Sequence, residues 1–172
     1  MAGSTPTEAP AAAAPRRWSG RDGWTAALAE LLGALEAHRV RRLCWASTDP
    51  LAWPFEDAAL LDGLAHWARP AGREWVWLGG DFEPLRVHSP RLMRWRGTWD
   101  HRLRCLAVDD VRTLAGRELL LAEGLGLIEV EDTEAARGRI SVDQRELIRA
   151  SQWFDAVLQR GIVTFPVTTL GI

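Results

Sequence analysis

From about residue 18 to residue 161 the chain alternates between helix-period and strand-period hydrophobic patterns. In SGRDGWTAALAELLGALEAHR, residues Trp24, Leu28, Leu31, Leu32 and Leu35 recur at three- and four-residue spacing, which puts them on one helical face. Ser19 and Asp22 stand three apart ahead of that run, close to a capping box. VRRLCWAS, residues 40–47, is an apolar run stopped by Thr48-Asp49-Pro50 and reads as a buried strand. EDAALLDGLAHWAR, residues 56–69, returns to helical spacing with Leu60, Leu61, Leu64 and Trp67. REWVWLGG, residues 73–80, predicts a second strand with Trp75 and Trp77 on one face and Val76 and Leu78 on the other.

SPRLMRWRGTW, residues 89–99, predicts a short helix with Ser89 as cap and Pro90 at its first position. LRCLAV (103–108) predicts a third strand, and RELLLAEGLGLIEVED (117–132) two more joined at a glycine turn. SVDQRELIRASQWFDAVLQRG (141–161) is the clearest helical pattern. Its apolar stripe is Val142, Leu147, Ile148, Trp153, Phe154, Val157 and Leu158, and Gly161 ends it. The final IVTFPVTTLGI leaves room for an edge strand.

Strands alternating with helices imply an α/β fold: a mixed, mostly parallel sheet with helices on both faces and right-handed crossovers. Residues 1–17, MAGSTPTEAPAAAAPRR, have little to bury and are expected to be a flexible tail. Residues 18–172 then form a single α/β domain with one core.

Composition narrows the chemistry. The 172 residues carry a net charge of -2 and contain no lysine, tyrosine or asparagine, so all 21 basic residues are arginine. A Walker-type phosphate loop and a Schiff-base mechanism both need a lysine amine, and both are excluded. An arginine-for-lysine, alanine-rich bias is also what a GC-rich bacterial genome produces. Cys44 and Cys105 lie in apolar strands and are expected to be reduced core thiols. With no secretory signal and no run of ~20 apolar residues, the expected location is cytoplasmic, with no membrane partner.

The order of elements, a strand-helix-strand-helix-strand unit followed by a hairpin and a long helix, resembles one half of the phospholipase D fold over about residues 38–161. In active members of that superfamily the hairpin carries H-x-K-x-x-x-x-D, whose histidine attacks phosphorus and whose lysine holds phosphate oxygens. Aligned on the hairpin, Arg117 falls at the histidine, Leu119 at the lysine, and Glu123 or Gly124 near the aspartate. A chain without lysine cannot complete that motif. The resemblance therefore implies a degenerate half in which the hairpin is scaffolding, with no catalytic residue, cofactor or metal.

Two groups of residues are candidates for binding. Asp49 ends the first strand, and Gly79, Gly80 and Asp81 end the second, at the edge where open α/β sheets hold ligands. These are also ordinary turn residues. Arg86 to Arg104 holds six arginines against Asp100 alone, with Trp95 and Trp99 interleaved. In it Arg91, Arg94, Trp95, Arg96 and Trp99 are the residue types that grip phosphate and stack on bases. Against this, residues 108–159 carry eleven acids and six arginines, a ready partner for the strip. The leading expectation is thus a non-catalytic protein-interaction or regulatory domain, binding a protein partner or forming a homodimer. The alternatives are an anion, nucleotide or single-stranded nucleic-acid binder, and a hydrolase using acids at strand ends.

Overall fold

The computed structural model describes residues 14–108 and 110–166. Strand β1 (Arg16–Ser19) leads into α1 (Gly20–Ala34), β2 (Arg42–Ser47), a single-turn 3₁₀ segment (Pro50–Ala52), α2 (Ala58–Ala68) and β3 (Glu74–Gly79). Next come the one-turn α3 (Leu85–His88), α4 (Pro90–Trp99), β4 (Leu103–Ala107), β5 (Glu118–Ala122), β6 (Gly126–Asp132) and β7 (Arg137–Ser141). The order closes with α5 (Gln144–Leu158) and β8 (Ile162–Val163).

Among the described residues the strands form one eight-stranded sheet in the order β1-β7-β6-β5-β2-β3-β4-β8. Parallel pairing is confined to β2–β3 and β3–β4, where helical crossovers connect successive strands. The remaining pairs are antiparallel, so the sheet is mostly antiparallel and the mostly parallel expectation is corrected. The β5–β6–β7 meander can only pair antiparallel, because its turns are too short for a crossover. Gly124, at φ +76°, makes the first of those turns.

Strands β1 (RRWS) and β7 (RGRIS) carry too few apolar residues to be seen as a period-2 pattern. They exist because they pair with each other and with β6. Arg16 and Arg17, assigned to the tail by sequence, belong to β1 and stand opposite Ile140 and Arg139. Of the rest of the expected flexible tail, Ala14 and Pro15 carry no regular structure and residues 1–13 lie outside the described residues, as do residues 167–172 of the last apolar segment.

Both faces of the sheet are covered. α1, α2 and α4 pack over Leu43, Trp45, Trp75, Trp77, Leu103, Cys105, Leu120 and Ile128. Helix α5 covers the other face, over Cys44, Ala46, Val76, Leu78, Leu106, Leu119, Leu121 and Leu127. The buried stripe of α5 is Leu147, Ala150, Phe154 and Val157, at spacings of three and four. Ile148 lies one residue off that stripe and is 55% exposed, and Val142 precedes the helix and is 52% exposed, so neither is the core residue expected.

Aromatic rings fill the first face. Trp45 lies 4.7 Å from Trp53, 4.9 Å from Phe55 and 5.2 Å from Trp75 between ring centroids. Trp18 of β1 stacks on Trp24 of α1 at 5.7 Å. A Cβ at Gly138 would lie 2.3 Å from the Trp18 ring, so this close approach of β7 requires glycine. The tryptophans near loops thus turn inward: Trp53 is buried, and Trp18 and Trp99 are half-buried against the core.

Candidate functional site

The C-terminal ends of β2 and β3 bring Asp49, Gly79, Gly80 and Asp81 to one edge of the sheet, but each is committed to local structure. The Asp49 side chain accepts from the Leu51 amide at 3.0 Å and caps the 3₁₀ turn. Asp81 accepts from the Glu83 amide at 2.9 Å. The Phe82 ring occupies the space beside Gly79, where a Cβ would come within 2.5 Å of Cζ. This glycine gives its open side to an aromatic ring. Gly80 is a half-buried bend residue between them.

Of the arginine- and tryptophan-rich segment, Arg91, Arg94 and Trp95 line one open cleft with Leu61, Asp62 and Ala65 of α2, while Arg96 and Trp99 lie outside it. On α4, Trp95 is buried against Trp75 at 5.4 Å, and Arg96 is only 4% exposed. The Arg96 guanidinium donates to Asp100 and to the Phe165 carbonyl, each at 2.7 Å, and lies 4.2 Å over the Phe165 ring. Arg86 donates to Glu83 and to the Pro166 carbonyl and covers the same ring at 4.4 Å. Arg91 is tied through its amide and its guanidinium to Glu56. Arg94 is exposed at the rim of the cleft it shares with Arg91, and half-buried Trp99 lies 6.1 Å from His101. These arginines mostly serve to pin α3, α4 and the segment at Phe165 together.

The apolar side chains of the central hairpin are packed on both faces of the sheet. Leu119, Leu120, Leu121 and Ala122 are fully buried. Leu119, at the position of the lysine in the motif, lies in the apolar layer beneath α5. Arg117, at the position of the histidine, stacks over Trp153 of α5 at 4.8 Å. Between them Glu118 turns to the opposite face and is 6% exposed. Its carboxylate accepts from the Thr48 amide at 2.6 Å, the Thr48 hydroxyl and the Trp53 indole at 2.9 Å. All these donors are neutral.

Beside Glu118 is a cleft of about 340 Å³ whose lining includes Thr48, Asp49, Glu131, Asp132 and Glu134. Five carboxylates line it and no cation does. Sequence reasoning missed this arrangement, because Glu118 reads as a lone acid opening an apolar strand. The only signal was an acid facing the Thr48-Asp49 strand end, and only strand pairing reveals that.

Other groups offer little reactivity. Burial raises the Cys44 thiol well above its ordinary range and pushes Cys105 up to about 12, so both stay protonated at neutral pH. Among the described residues no group of three or more His, Cys, Asp or Glu side chains is placed to hold a metal ion. A cleft of about 350 Å³ between α1 and α2 is mainly apolar, bounded by Leu28, Leu32, Leu60 and Trp67, with His66 paired to Glu36 at its rim.

No protein-family model and no curated protein matches this sequence. Solved structures do match in fold. Nuc from Salmonella typhimurium, a phospholipase D family member, superposes with a TM-score of 0.61 at 5% identity, over 89% of this chain and 99% of its own. NucT from Helicobacter pylori gives 0.62 at 8% identity, over 88% and 99%. The archaeal chromatin protein TrmBL2, described with a novel mode of DNA binding, gives 0.61 at 12% identity over 95% of this chain. The chain spans 57% of the length of TrmBL2. The architecture is therefore phospholipase D-like: a mixed sheet with helices on both faces. No helix among the described residues is long and apolar enough to cross a membrane.

Proposed function

We propose that the chain is a non-catalytic phospholipase D-like domain, an interaction or regulatory module that acts by recognition. The observation that carries this reading is the head of the hairpin. There Leu119 occupies the core, Glu118 is held by neutral donors, and the adjoining cleft is lined by five carboxylates, of which Glu131 and Asp132 are paired to Arg17 and Arg137. The sequence has no lysine to hold phosphate oxygens. Asp49 and Asp81 are bound to amides of their own loops, which argues against a shared catalytic role.

The test is hydrolysis of an aryl phosphodiester and of labelled single- and double-stranded oligonucleotides, with and without divalent cations. The expected result is no turnover above the buffer control. Turnover that co-purifies with the protein and is lost in Glu118→Gln would overturn the reading.

A second reading, binding of an anion or nucleic acid, draws support from arginines without ion pairs among the described residues, Arg39, Arg41, Arg69 and Arg73 outside the Arg86–Arg104 strip and Arg102 within it. That TrmBL2 binds DNA on a chain containing this fold is consistent with it.

A further inference from the structure

Arginines that are far apart in sequence meet at the edge opposite the acidic cleft. β2, β3 and β4 are parallel and in register, with Leu43 opposite Trp75 and Trp75 opposite Leu103, so the three segments entering them arrive at one edge. The α1–β2 connection supplies Arg39 and Arg41, the α2–β3 connection Arg69 and Arg73, and the turn after α4 supplies Arg102.

Short contacts lock these segments together. The Trp67 indole donates to the Val40 carbonyl at 2.8 Å, the Glu74 amide to the Arg41 carbonyl at 2.9 Å, and Arg102 Nε to the Ala68 carbonyl at 3.2 Å. None of the five arginines forms an ion pair among the described residues. Arg39, Arg41 and Arg69 are exposed. Arg73 holds Nη1 out of solvent with no hydrogen-bond partner.

We infer that this N-terminal edge of the parallel strands binds the phosphate backbone of a nucleic acid. The inference rests on the domain acting by recognition. Guanidinium groups are suited to bidentate phosphate contacts, and unpaired ones release counterions rather than break existing bridges when they bind. Neighbouring strands stand ~4.8 Å apart, so three successive strand entries span roughly 10 Å, the rise of about three nucleotides of one strand. The other end of the sheet carries Asp49, Asp81, Glu83 and Glu118. The acids at the arginine edge itself, Glu74, Glu123 and Asp100, are paired to Arg42, Arg104 and Arg96, which leaves the five arginines as its uncompensated charges.

Among the described residues the large exposed apolar side chains, Leu51, Val87, Val142, Ile148, Ile162 and Val163, all lie on other segments. The arginine edge therefore lacks the apolar anchors of a membrane-surface site and the apolar centre of a protein interface. Phosphate contact without base readout implies binding that ignores sequence and weakens steeply with salt.

The experiment is fluorescence anisotropy of the full chain with a labelled 20-nucleotide strand and the matching duplex, titrated across salt. The parent should bind at low salt, with a log–log salt slope corresponding to about three to five phosphates. Arg39→Gln/Arg41→Gln/Arg69→Gln/Arg73→Gln should weaken binding at least tenfold while keeping the parental circular dichroism spectrum. Arg21→Gln/Arg112→Gln/Arg145→Gln/Arg160→Gln removes the same charge from arginines without ion pairs elsewhere and should stay within about threefold of the parent.

Equal loss in both variants, or no binding at low salt, overturns the site. Capture by phosphatidylserine vesicles without oligonucleotide binding also overturns it, in favour of a membrane surface. Cleavage of the oligonucleotide would instead refute the recognition reading, whereas absent binding with absent cleavage refutes the arginine edge alone.

Discussion

The Trp53 indole donates a 2.9 Å hydrogen bond to the buried carboxylate of Glu118, tying the loop after β2 to the first residue of β5. The same carboxylate accepts from the Thr48 amide and hydroxyl, so one acid organises the strand end where phospholipase D-like chemistry would be sought. Glu118→Ala leaves buried donors unpaired and is expected to cost roughly 2–4 kcal/mol. Glu118→Gln keeps one carbonyl acceptor and should cost less. Urea denaturation followed by tryptophan fluorescence measures both; a loss below 0.5 kcal/mol for the alanine variant contradicts the assigned role.

Rebuilding the missing motif is expected to fail structurally. Leu119 is fully buried beneath α5, and lysine there would place an ammonium among Leu147, Phe154 and other apolar side chains. Leu119→Lys should lose about 3–5 kcal/mol or not fold, by forfeiting leucine burial and leaving a charge unpaired. Arg117→His with Leu119→Lys should show no phosphodiesterase activity. A folded, active double variant would mean that the side chain at 119 reaches a site.

Gly79 is expected to behave as a packing residue. A Cβ there meets the Phe82 ring at 2.5 Å, and that ring also stands edge-on to Trp77 at 5.1 Å. Gly79→Ala should therefore destabilise by about 1–3 kcal/mol through overpacking. Gly79→Ala combined with Phe82→Leu should recover part of that loss, which a double-mutant cycle in thermal unfolding reads directly.

Stability should fall in mild acid through named carboxylates. Glu146 is held below its ordinary value by a hydrogen bond from Ser141, reinforced by Arg139, which also pairs with Glu129. Asp132 is lowered by the Ala135 amide and by Arg137. A depressed folded-state pKa stabilises above the unfolded value, near 4–4.5, and that contribution is lost as pH falls through the folded value. The urea midpoint should therefore drop below about pH 4.5, and less steeply in Ser141→Ala/Arg139→Gln. An unchanged acid slope in that variant would remove Glu146 from the explanation.

The elements legible in the sequence were those whose apolar residues repeat at their own period. α1, α2 and α5 were visible through leucine and tryptophan spacing, and β2 to β6 through dense apolar runs. Asp57 and Asp143 cap α2 and α5 with hydrogen bonds that the apolar pattern alone did not point to. β1 and β7 were not legible, since polar strands are made by their neighbours' backbone groups, whereas β8 fills the edge position that the final apolar segment left open. Missing them shifted the sheet from mostly parallel to mostly antiparallel. The strip from Arg86 to Arg104 looked like one surface because its residues are close in sequence, yet helical geometry buries Trp95 and Arg96 and leaves Arg94 outside.

By itself the sequence determined which segments become helices and core strands, because burying apolar side chains at a fixed period is a local property. Its lack of lysine also removed one phosphodiester mechanism, because no fold can supply an absent amine. Tertiary structure alone decided which charges meet. Parallel strands entering from one side gather Arg39, Arg41, Arg69, Arg73 and Arg102, and the β2–β5 pairing sets Glu118 against Thr48 and Trp53. Electrostatic partners act through space and leave no period along the chain.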